Sequence, residues 1–513
     1  MPADPRATRA MNEEVEGSPP ISEPLEVPGP TTAEPSSSIS HFGIRTFATS
    51  VGILSLSSIS NLVRAVITAK LLAVALGPTL TGDLAQILNF STFLFQLIPL
   101  GLTTGVAKLV ADSPADRAKV SAVAGTSSLL SLASATICAV LLAPFANQLS
   151  QVLTGSTAYV VPVLLVLLSL PLYNVAGVLS YVLQGLSDIR GLTIANVATA
   201  LTALVVLIPA TIAFKLVGAT AAVAAASILQ FGFFAFMVWR AFRARSWSLR
   251  EVHFARPTAR SLLQYGGVIL VAGIGSWGSL LLVRTIGIHM LGQLQNGIYQ
   301  VVNGVSAQYM AVFITWMAAY VFPRIVAEKD PVRTQAMLNA TLRANLLIMG
   351  SGMVALIALR ELVVRLLYSP AFLAAAPILP IQVLGDYARV IGWSFGITLF
   401  AHGRTRAYLL AMLVQDGLWI LLAPLAMRQF GTAAIAMGYS LSSLAWPVLM
   451  YPMVRRWFGV RINGEGALLA VVGLVAMVGA VLLPALPGLA LAAALPLTVY
   501  AVRRHQRRLP VGP

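Results

Sequence analysis

Residues 265–292, YGGVILVAGIGSWGSLLLVRTIGIHMLG, form a run of apolar and small residues long enough to cross a membrane, because a spanning helix needs only about 20 residues. The run contains a single arginine, Arg284. A guanidinium at the centre of a membrane helix costs about 2.5–3.5 kcal/mol on insertion scales, so this arginine needs a physical reason. Two interpretations fit the stretch on its own: the side chain extends to the lipid headgroups, or it lines a polar cavity.

The whole chain has the composition of a membrane protein. Of its 513 residues, 58% are hydrophobic and 10% are charged, whereas a soluble domain has about 25% charged residues. The single cysteine, Cys138, excludes a disulfide framework and a CxxC metal site, and the five histidines lack metal-ligand spacing. No GxxxxGKS/T phosphate loop occurs. The chain is therefore predicted to be a multispanning membrane protein, not an ATP-driven pump and not an enzyme.

Hydropathy predicts an all-α membrane protein with about fourteen transmembrane spans. In order, spans 1 to 14 cover residues 47–75, 84–107, 120–143, 158–183, 192–213, 216–239, 262–288, 297–322, 338–359, 377–401, 407–427, 431–454, 466–484 and 488–502. Residues 1–40 are rich in Pro, Ser, Thr and Glu and have neither an apolar run nor a secretory signal, so they are predicted to be a disordered tail. The even count places both termini on one side.

The basic residues between the spans predict the orientation. One side has about 25 Lys and Arg residues, six of them between Arg240 and Arg260, whereas the other side has four. By the positive-inside rule the rich side is cytoplasmic, and both termini lie there. The net charge of +16 is explained by these loops, so a nucleic-acid partner is not expected.

The sequence repeats itself after about 215 residues. Leu76-Gly77 and Gly82, after span 1, align with Leu291-Gly292 and Gly297, after span 7. Six spans separate the copies, so both have the same orientation, and the chain is predicted to form two pseudo-symmetric six-helix lobes, as rocking transporters do. The expected organisation is a tail (1–40), an N-lobe (41–239), a basic linker (240–261), a C-lobe (262–455), a C-terminal helix pair (456–502) and a cytoplasmic tail (503–513).

The repeat favours a cationic cavity as the reason for Arg284. Lys70 lies seven residues before Gly77, and Arg284 lies eight before Gly292, so the first helix of each lobe has a cation at nearly the same depth. Arg64 adds a third cation deeper in span 1.

Three further charged residues occur within the later spans. Asp386 and Arg389 are three residues apart in span 10, where neutralisation of one by the other is the simpler interpretation, although Arg389 is also a candidate cavity cation. Asp416 in span 11 has no helical partner, so it is expected either to pair with a basic residue of another helix or to bind a coupling cation.

Several motifs resemble those of bacterial oligosaccharide-repeat-unit flippases, which belong to the multidrug/oligosaccharidyl-lipid/polysaccharide exporter (MOP) superfamily. The motifs are Leu76-Gly77-Pro78-(x3)-Gly82, the run from Leu100 to Lys108, Phe322-Pro323-Arg324 and Gly403-Arg404-Thr405-Arg406. They cover residues 45–460 in order. One departure is that the family often has a basic residue directly before the Leu-Gly-Pro turn, whereas Lys70 lies about one turn further back.

This resemblance implies a flippase of the bacterial cytoplasmic membrane that moves a polyprenyl-diphosphate-linked oligosaccharide by alternating access. The cavity cations Arg64, Lys70, Arg284 and Arg389 would hold the diphosphate. No cofactor or metal is expected, but transport would be coupled to a Na⁺ or H⁺ gradient, with Asp386 and Asp416 as candidate sites, or to the membrane potential. The implied partners are the lipid-linked glycan, membrane lipids and polysaccharide polymerase or assembly proteins.

Three alternatives stay open from the sequence. A flippase for a lipid-linked peptidoglycan precursor has the same fold and a cationic cavity. A drug/cation antiporter has the same lobes but favours anionic cavity residues. A non-transporting scaffold for a polysaccharide synthase needs neither the repeat nor the charges.

The orientation can be tested by cysteine labelling. In a Cys138→Ala background, Arg250→Cys should not react with a membrane-impermeant thiol reagent added to intact cells, because the linker is predicted to be cytoplasmic. Arg360→Cys, in a connection predicted to face outside, is the positive control. Labelling of position 250 from outside would contradict the predicted topology.

Overall fold

A computed structural model of the chain describes residues 39–98, 102–328 and 330–508. The regular structure of these residues is entirely helical. The chain divides into two units, residues 1–51 and 52–513. In the first unit the described residues, 39–51, are helical, and the predicted tail lies almost wholly outside the described residues. Apart from the first residues of the helix Ile39–Leu97, the elements described below belong to the second unit.

The first six spans occupy four long helices. Spans 1 and 2 form the helix Ile39–Leu97, which is bent at Gly77, span 3 is Arg117–Leu142, span 4 is Val160–Gly185, and spans 5 and 6 form Ile189–Ala244, bent at Lys215. Shorter elements are Leu102–Ala111, Ala146–Thr154 and the 3₁₀ turns Ala143–Phe145, Thr157–Tyr159 and Leu249–Glu251.

The later spans are more often interrupted. Span 7 is Arg256–Leu291, and span 8 is Gln293–Trp316, which continues through a π-helical turn, Met317–Val321, into Phe322–Ala327. Span 9 comprises Pro331–Asn345, the π-helical turn Leu346–Gly350 and Ser351–Ala358. A short helix, Arg360–Leu367, and a 3₁₀ turn, Pro370–Ala375, precede span 10, Leu379–Ala401. Span 11 is Thr405–Phe430, and span 12 comprises the helices Ala433–Ser443 and Ala445–Phe458. Span 13 is Gly464–Leu482. Span 14 comprises Ala485–Ala490, the 3₁₀ turn Leu491–Ala493 and Ala494–Arg508.

These helices confirm the predicted class, an all-α membrane protein. Within the described residues, ten helices are long and apolar enough to cross a membrane, and two of them are the bent helices that each contain two predicted spans. Leu379–Ala401 and the shorter apolar segment Ala485–Ala501 account for the other two predicted spans. Large apolar side chains on the outer surface, such as Val205 and Leu425, are about 70% exposed, as a lipid-facing surface requires.

Span 2 differs from the prediction of one continuous segment over 84–107. Its helix resumes directly after Gly77, ends at Leu97, and a separate helix begins at Leu102. The sequence between them contains Pro99, and helices usually end shortly before a proline because its ring disfavours helical geometry in the preceding residue.

The backbone repeats at the spacing that the sequence predicts. Gly77 (φ 71°, ψ −179°) corresponds to Gly292 (φ 93°, ψ 165°), and Lys215 (φ 51°, ψ −128°) corresponds to Gly431 (φ 56°, ψ −135°). A positive φ is unfavourable for lysine. The Nζ atom of Lys215 donates a hydrogen bond to the carbonyl of Ala75 at 3.2 Å, which helps to hold this bend. The two halves of the chain therefore share a backbone plan that does not depend on a shared residue type.

The short helices Ala146–Thr154 and Arg360–Leu367 are also related by this spacing. The sequence did not predict them because they are too short to span a membrane, and their apolar and polar faces make them inconspicuous in a hydropathy profile.

The bends after spans 1 and 7 bring two helix starts into backbone contact. A Cβ atom on Gly297 would lie 1.9 Å from the carbonyl oxygen of Pro78, and one on Gly82 would lie 2.6 Å from the amide nitrogen of Gly297. Only glycine permits this approach, and small residues at such crossings are how membrane helices pack closely.

Gly297→Ala should therefore destabilise the protein. The added methyl group has no space, and overpacking of this kind costs about 1–3 kcal/mol. The thermal unfolding midpoint of the detergent-solubilised protein, followed by tryptophan fluorescence, should fall.

The matched control is Gly352→Ala, an exposed helical glycine whose added Cβ would meet no atom within 4 Å. It should be neutral or stabilising, because alanine is the better helix former. Equal midpoints for the two variants would show that the contact at Gly297 is not tight.

Candidate functional site

Two adjoining cavities lie among the spans. The N-terminal cavity, about 370 Å³, is enclosed by spans 1, 2, 4, 5 and 6. The central cavity, about 280 Å³, lies between spans 1 and 2 on one side and span 8 with Tyr368 on the other. Arg64, Thr68 and Leu72 of span 1 line both cavities, and so do Leu84 and Leu88 of span 2. Spans 1 and 2 therefore form the boundary between them.

Arg64 is the cation at this boundary. Its side chain is partly buried, and it makes no hydrogen bond or ion pair with any residue of the described chain. Tyr173, on the far wall of the N-terminal cavity, is close enough to interact with it electrostatically. A guanidinium without a protein acceptor, at the meeting point of two cavities, is available for an anionic ligand.

Arg284 occupies a different environment. It is fully buried, its Nε donates to Asn296 Oδ1 at 2.8 Å, and its Nη1 donates to Gln300 Oε1 at 2.6 Å. Gln300 lines the central cavity, whereas Arg284 does not. The structure therefore places Arg284 inside the protein, one side chain behind the cavity wall, rather than at the headgroups.

The partners of Arg284 connect the two halves of the chain. Asn296 Nδ2 donates to the carbonyl of Gly82 at 3.0 Å, and Gln86 Nε2 donates to Thr285 Oγ1 at 2.8 Å. Gly82 and Gln86 belong to span 2, whereas the other residues belong to spans 7 and 8. Arg284 thus lies at the centre of a buried polar contact between the two repeats.

Asp83 is the acidic residue of this contact, and the sequence analysis missed it. It is fully buried and interacts electrostatically with Arg284. Because span 2 was predicted to begin at residue 84, Asp83 was left in a turn, whereas the helix places it one turn inside. The sequence feature that could have identified Asp83 is its position directly after Gly82, a glycine of the repeated motif.

Lys70 lines neither of the two cavities. Its Nζ donates to the carbonyl of Arg365 at 2.9 Å, which ties span 1 to the short helix Arg360–Leu367. This contact also joins the two halves.

Asp386 and Arg389 lie in a separate buried cluster in the second half. Asp386 accepts hydrogen bonds from Ser306 Oγ at 2.6 Å, from the Tyr309 hydroxyl and from the Tyr439 hydroxyl at 2.5 Å. Arg389 Nη1 donates to the same Tyr439 hydroxyl at 2.8 Å. The hydroxyl of Tyr439 therefore bridges Asp386 and Arg389, the two residues that the sequence predicts to neutralise each other.

Asp416 lies near this cluster and is also buried. Ser276 Oγ of span 7 donates to its Oδ2 at 3.4 Å, and Arg389 interacts with it electrostatically. The structure thus brings Asp386, Arg389 and Asp416 together, and none of the three lines the N-terminal or the central cavity.

The helical bundle contains polar cavities among apolar spans, an architecture that membrane transporters use. A family model described as "Polysaccharide biosynthesis protein" matches residues 47–329, more than half of the chain. The chain therefore belongs to the polysaccharide biosynthesis protein family.

Individual relatives agree with this assignment. The chain is 22% identical to the Lipid III flippase of Escherichia coli (strain K12) over 398 residues, which are 76% of this chain and 94% of the relative. The fold is similar to that of the lipid II flippase MurJ in an inward closed conformation (TM-score 0.66, 15% identity, 90% and 100% of the two chains). It is also similar to that of an inward-facing MATE multidrug transporter (TM-score 0.66, 15% identity, 80% and 98%).

The pairing of Asp83 with Arg284 can be tested by a double-mutant cycle. Asp83→Asn and Arg284→Gln should each destabilise the protein, because removal of one partner leaves a buried charge uncompensated at a cost of about 3–5 kcal/mol. The double variant should lose less stability than the sum of the single losses. Thermal unfolding in detergent provides the measurement.

The control cycle uses the exposed pair Asp330 and Arg333, whose charged atoms lie 3.6 Å apart. Such pairs contribute about 0–1 kcal/mol. Asp330→Asn keeps a side-chain oxygen that can accept the N-cap hydrogen bond from the Val332 amide, so Asp330→Asn and Arg333→Gln should change little. Strict additivity at Asp83 and Arg284 would show that the two charges do not interact.

Proposed function

We propose that the protein moves a polyprenyl-diphosphate-linked oligosaccharide from the inner to the outer leaflet of the bacterial cytoplasmic membrane. The observation that carries the proposal is Arg64, a cation without a protein acceptor where the two cavities meet. A diphosphate requires such a cation, and a glycan requires a polar space. The lipid tail can stay in the bilayer.

The lining of the cavities favours anionic cargo over cationic drugs. Among the described residues, no aspartate or glutamate lines the N-terminal or the central cavity. A cationic drug inside would lie beside Arg64 without a carboxylate to balance the two charges. A flippase for a lipid-linked peptidoglycan precursor would use the same cation, so the diphosphate is supported more directly than the identity of the sugar.

Movement of the two halves as lobes would provide alternating access. In this proposal the buried contact around Arg284 closes one end of the central cavity, and separation of Gly82 from Gly297 opens it. The positive-inside rule predicts that this end faces outside. The cargo would then enter from the cytoplasmic side while the contact is closed.

The cluster of Asp386, Arg389 and Asp416 is the proposed coupling element. Two carboxylates and one guanidinium leave one unmatched acidic charge when all three are ionised, and a coupling Na⁺ or H⁺ would neutralise it. The cluster lies outside both cavities, so the proposed coupling site is distinct from the proposed cargo-binding site.

Arg64→Lys should weaken binding of polyprenyl diphosphate about tenfold or more, and Arg64→Ala should weaken it further. Lysine retains the charge but cannot form the planar two-point contact that a guanidinium makes with phosphate oxygens. Binding to the purified full-length protein, together with glycan export in cells at matched expression, provides the measurement. Arg284→Lys is expected to impair export as well, because lysine cannot bond both Asn296 and Gln300 in the same geometry.

Arg428→Lys, at an exposed position in the last turn of span 11, is the matched control and should bind and export normally. Normal lipid binding and export by Arg64→Lys would remove Arg64 from the proposed site. Proton-driven efflux of cationic dyes by a protein that binds no lipid diphosphate would replace the proposal with the antiporter function.

A further inference from the structure

The N-terminal cavity contains an unusual number of polar side chains with no internal partner. The carboxamides of Asn61, Asn196 and Gln230 line it, and none of them makes a hydrogen bond to another residue in the described part of the chain. The hydroxyls of Thr68 and Thr199 in its wall are buried and also lack a partner among the described residues. Asn61 is exposed and Asn196 and Gln230 are partly buried, so their amides are open to the cavity, whereas the two threonine hydroxyls are buried, where polar groups are normally satisfied. These five groups are therefore available to a ligand rather than used in packing.

Comparable side chains in the second half are bonded within the protein. The hydroxyl of Tyr299 donates to Gln382 at 3.3 Å, the indole of Trp446 donates to Gln415 at 2.7 Å, and Asn345 donates to Ser394 at 2.8 Å. These polar groups of the second half are used in its own packing. Gln300 and Gln308 of that half line the central cavity, where Gln300 accepts a hydrogen bond from Arg284, whereas the N-terminal cavity is lined by three carboxamides without a partner among the described residues.

The chemistry of the cavity matches a sugar. A carboxamide both donates and accepts hydrogen bonds, as a sugar hydroxyl does, so three carboxamides can bind several hydroxyls of either role. No carboxylate lines the cavity, and Tyr173 provides an aromatic wall for the C–H faces of a sugar ring. The volume of about 370 Å³ lies at the small end of the range for small-molecule pockets.

We propose that the N-terminal cavity is a glycan subsite that binds the sugar nearest the diphosphate, while Arg64 at its edge binds the diphosphate. This inference rests on the proposed function. Because Arg64 lines both cavities, an anchored diphosphate places its attached sugar beside Asn61 and the other carboxamides.

The location of the subsite also suits a transporter. All walls of the N-terminal cavity come from spans 1, 2, 4, 5 and 6, whereas the central cavity has walls from both halves. If the halves move relative to each other, the N-terminal cavity keeps its shape and the central cavity does not. The subsite can therefore hold the sugar throughout the movement and select among glycans.

The test compares two ligands on the purified full-length protein: sugar-free polyprenyl diphosphate, and the lipid-linked repeat unit isolated from cells that express the protein. The double variant Asn196→Ala/Gln230→Ala should bind the glycosylated lipid about tenfold more weakly and the sugar-free lipid as the wild type does. Arg64→Ala should weaken both. Gln335→Ala, a carboxamide that lines neither of these two cavities, is the matched control and should change neither.

Thr199→Val provides a variant that should fold normally, because it replaces an unpaired buried hydroxyl with a group of the same shape. It should lower binding of the glycosylated lipid alone, with an unchanged or higher thermal midpoint. Equal effects of Asn196→Ala/Gln230→Ala on both lipids, or no effect on either, would overturn the glycan subsite while leaving the flippase in place. A wild-type protein that binds neither lipid would instead contradict the proposed function itself.

Discussion

The burial of one guanidinium determines how the two halves of this protein meet. Arg284 lies in an apolar span, so its charge must be balanced from other helices. Asn296 and Gln300 of span 8 accept its hydrogen bonds, and the buried Asp83 of span 2 interacts with it electrostatically. Asn296 must then reach the carbonyl of Gly82, which brings spans 2 and 8 so close that a side chain at position 82 or 297 has no space. The glycines of the repeat are thus linked to the arginine by packing.

The two halves share a repeated backbone but differ in the arrangement of their interior polar side chains. The bends at Lys215 and Gly431 have nearly the same dihedral angles although one residue is lysine and the other glycine. In the second half, hydroxyls and carboxamides bond to one another around Asp386 and between Trp446 and Gln415. In the first half, they surround a cavity. The backbone therefore follows the symmetry, whereas the arrangement of polar side chains in the interior departs from it.

The sequence predicts the spans and the repeat well because each depends on local information: apolar runs for the spans, and glycine turns at a constant offset for the repeat. It predicts the partners of charged residues poorly, because those partners are distant in the chain. Asp83 lies about 200 residues before Arg284, and Tyr439, which bridges Asp386 to Arg389, lies 50 residues after Arg389. Spacing along one helix indicated that Asp386 and Arg389 belong together, but not that a phenol stands between them.

The contrast between Arg64 and Arg284 shows why a cation in a span is not by itself evidence of a binding site. Both lie near the central cavity, and Arg284 is the more deeply buried. Yet two nitrogens of Arg284 are already bonded to carboxamide oxygens, so a ligand that recruited it would have to break charge-assisted bonds worth about 1.5–3 kcal/mol each. Arg64 would break none within the described structure. An anion that enters this region therefore interacts more favourably with Arg64, which is more accessible and has fewer hydrogen bonds to break. Hydrogen bonding to the protein, rather than depth in the membrane, distinguishes the candidate ligand contact, Arg64, from the structural arginine, Arg284.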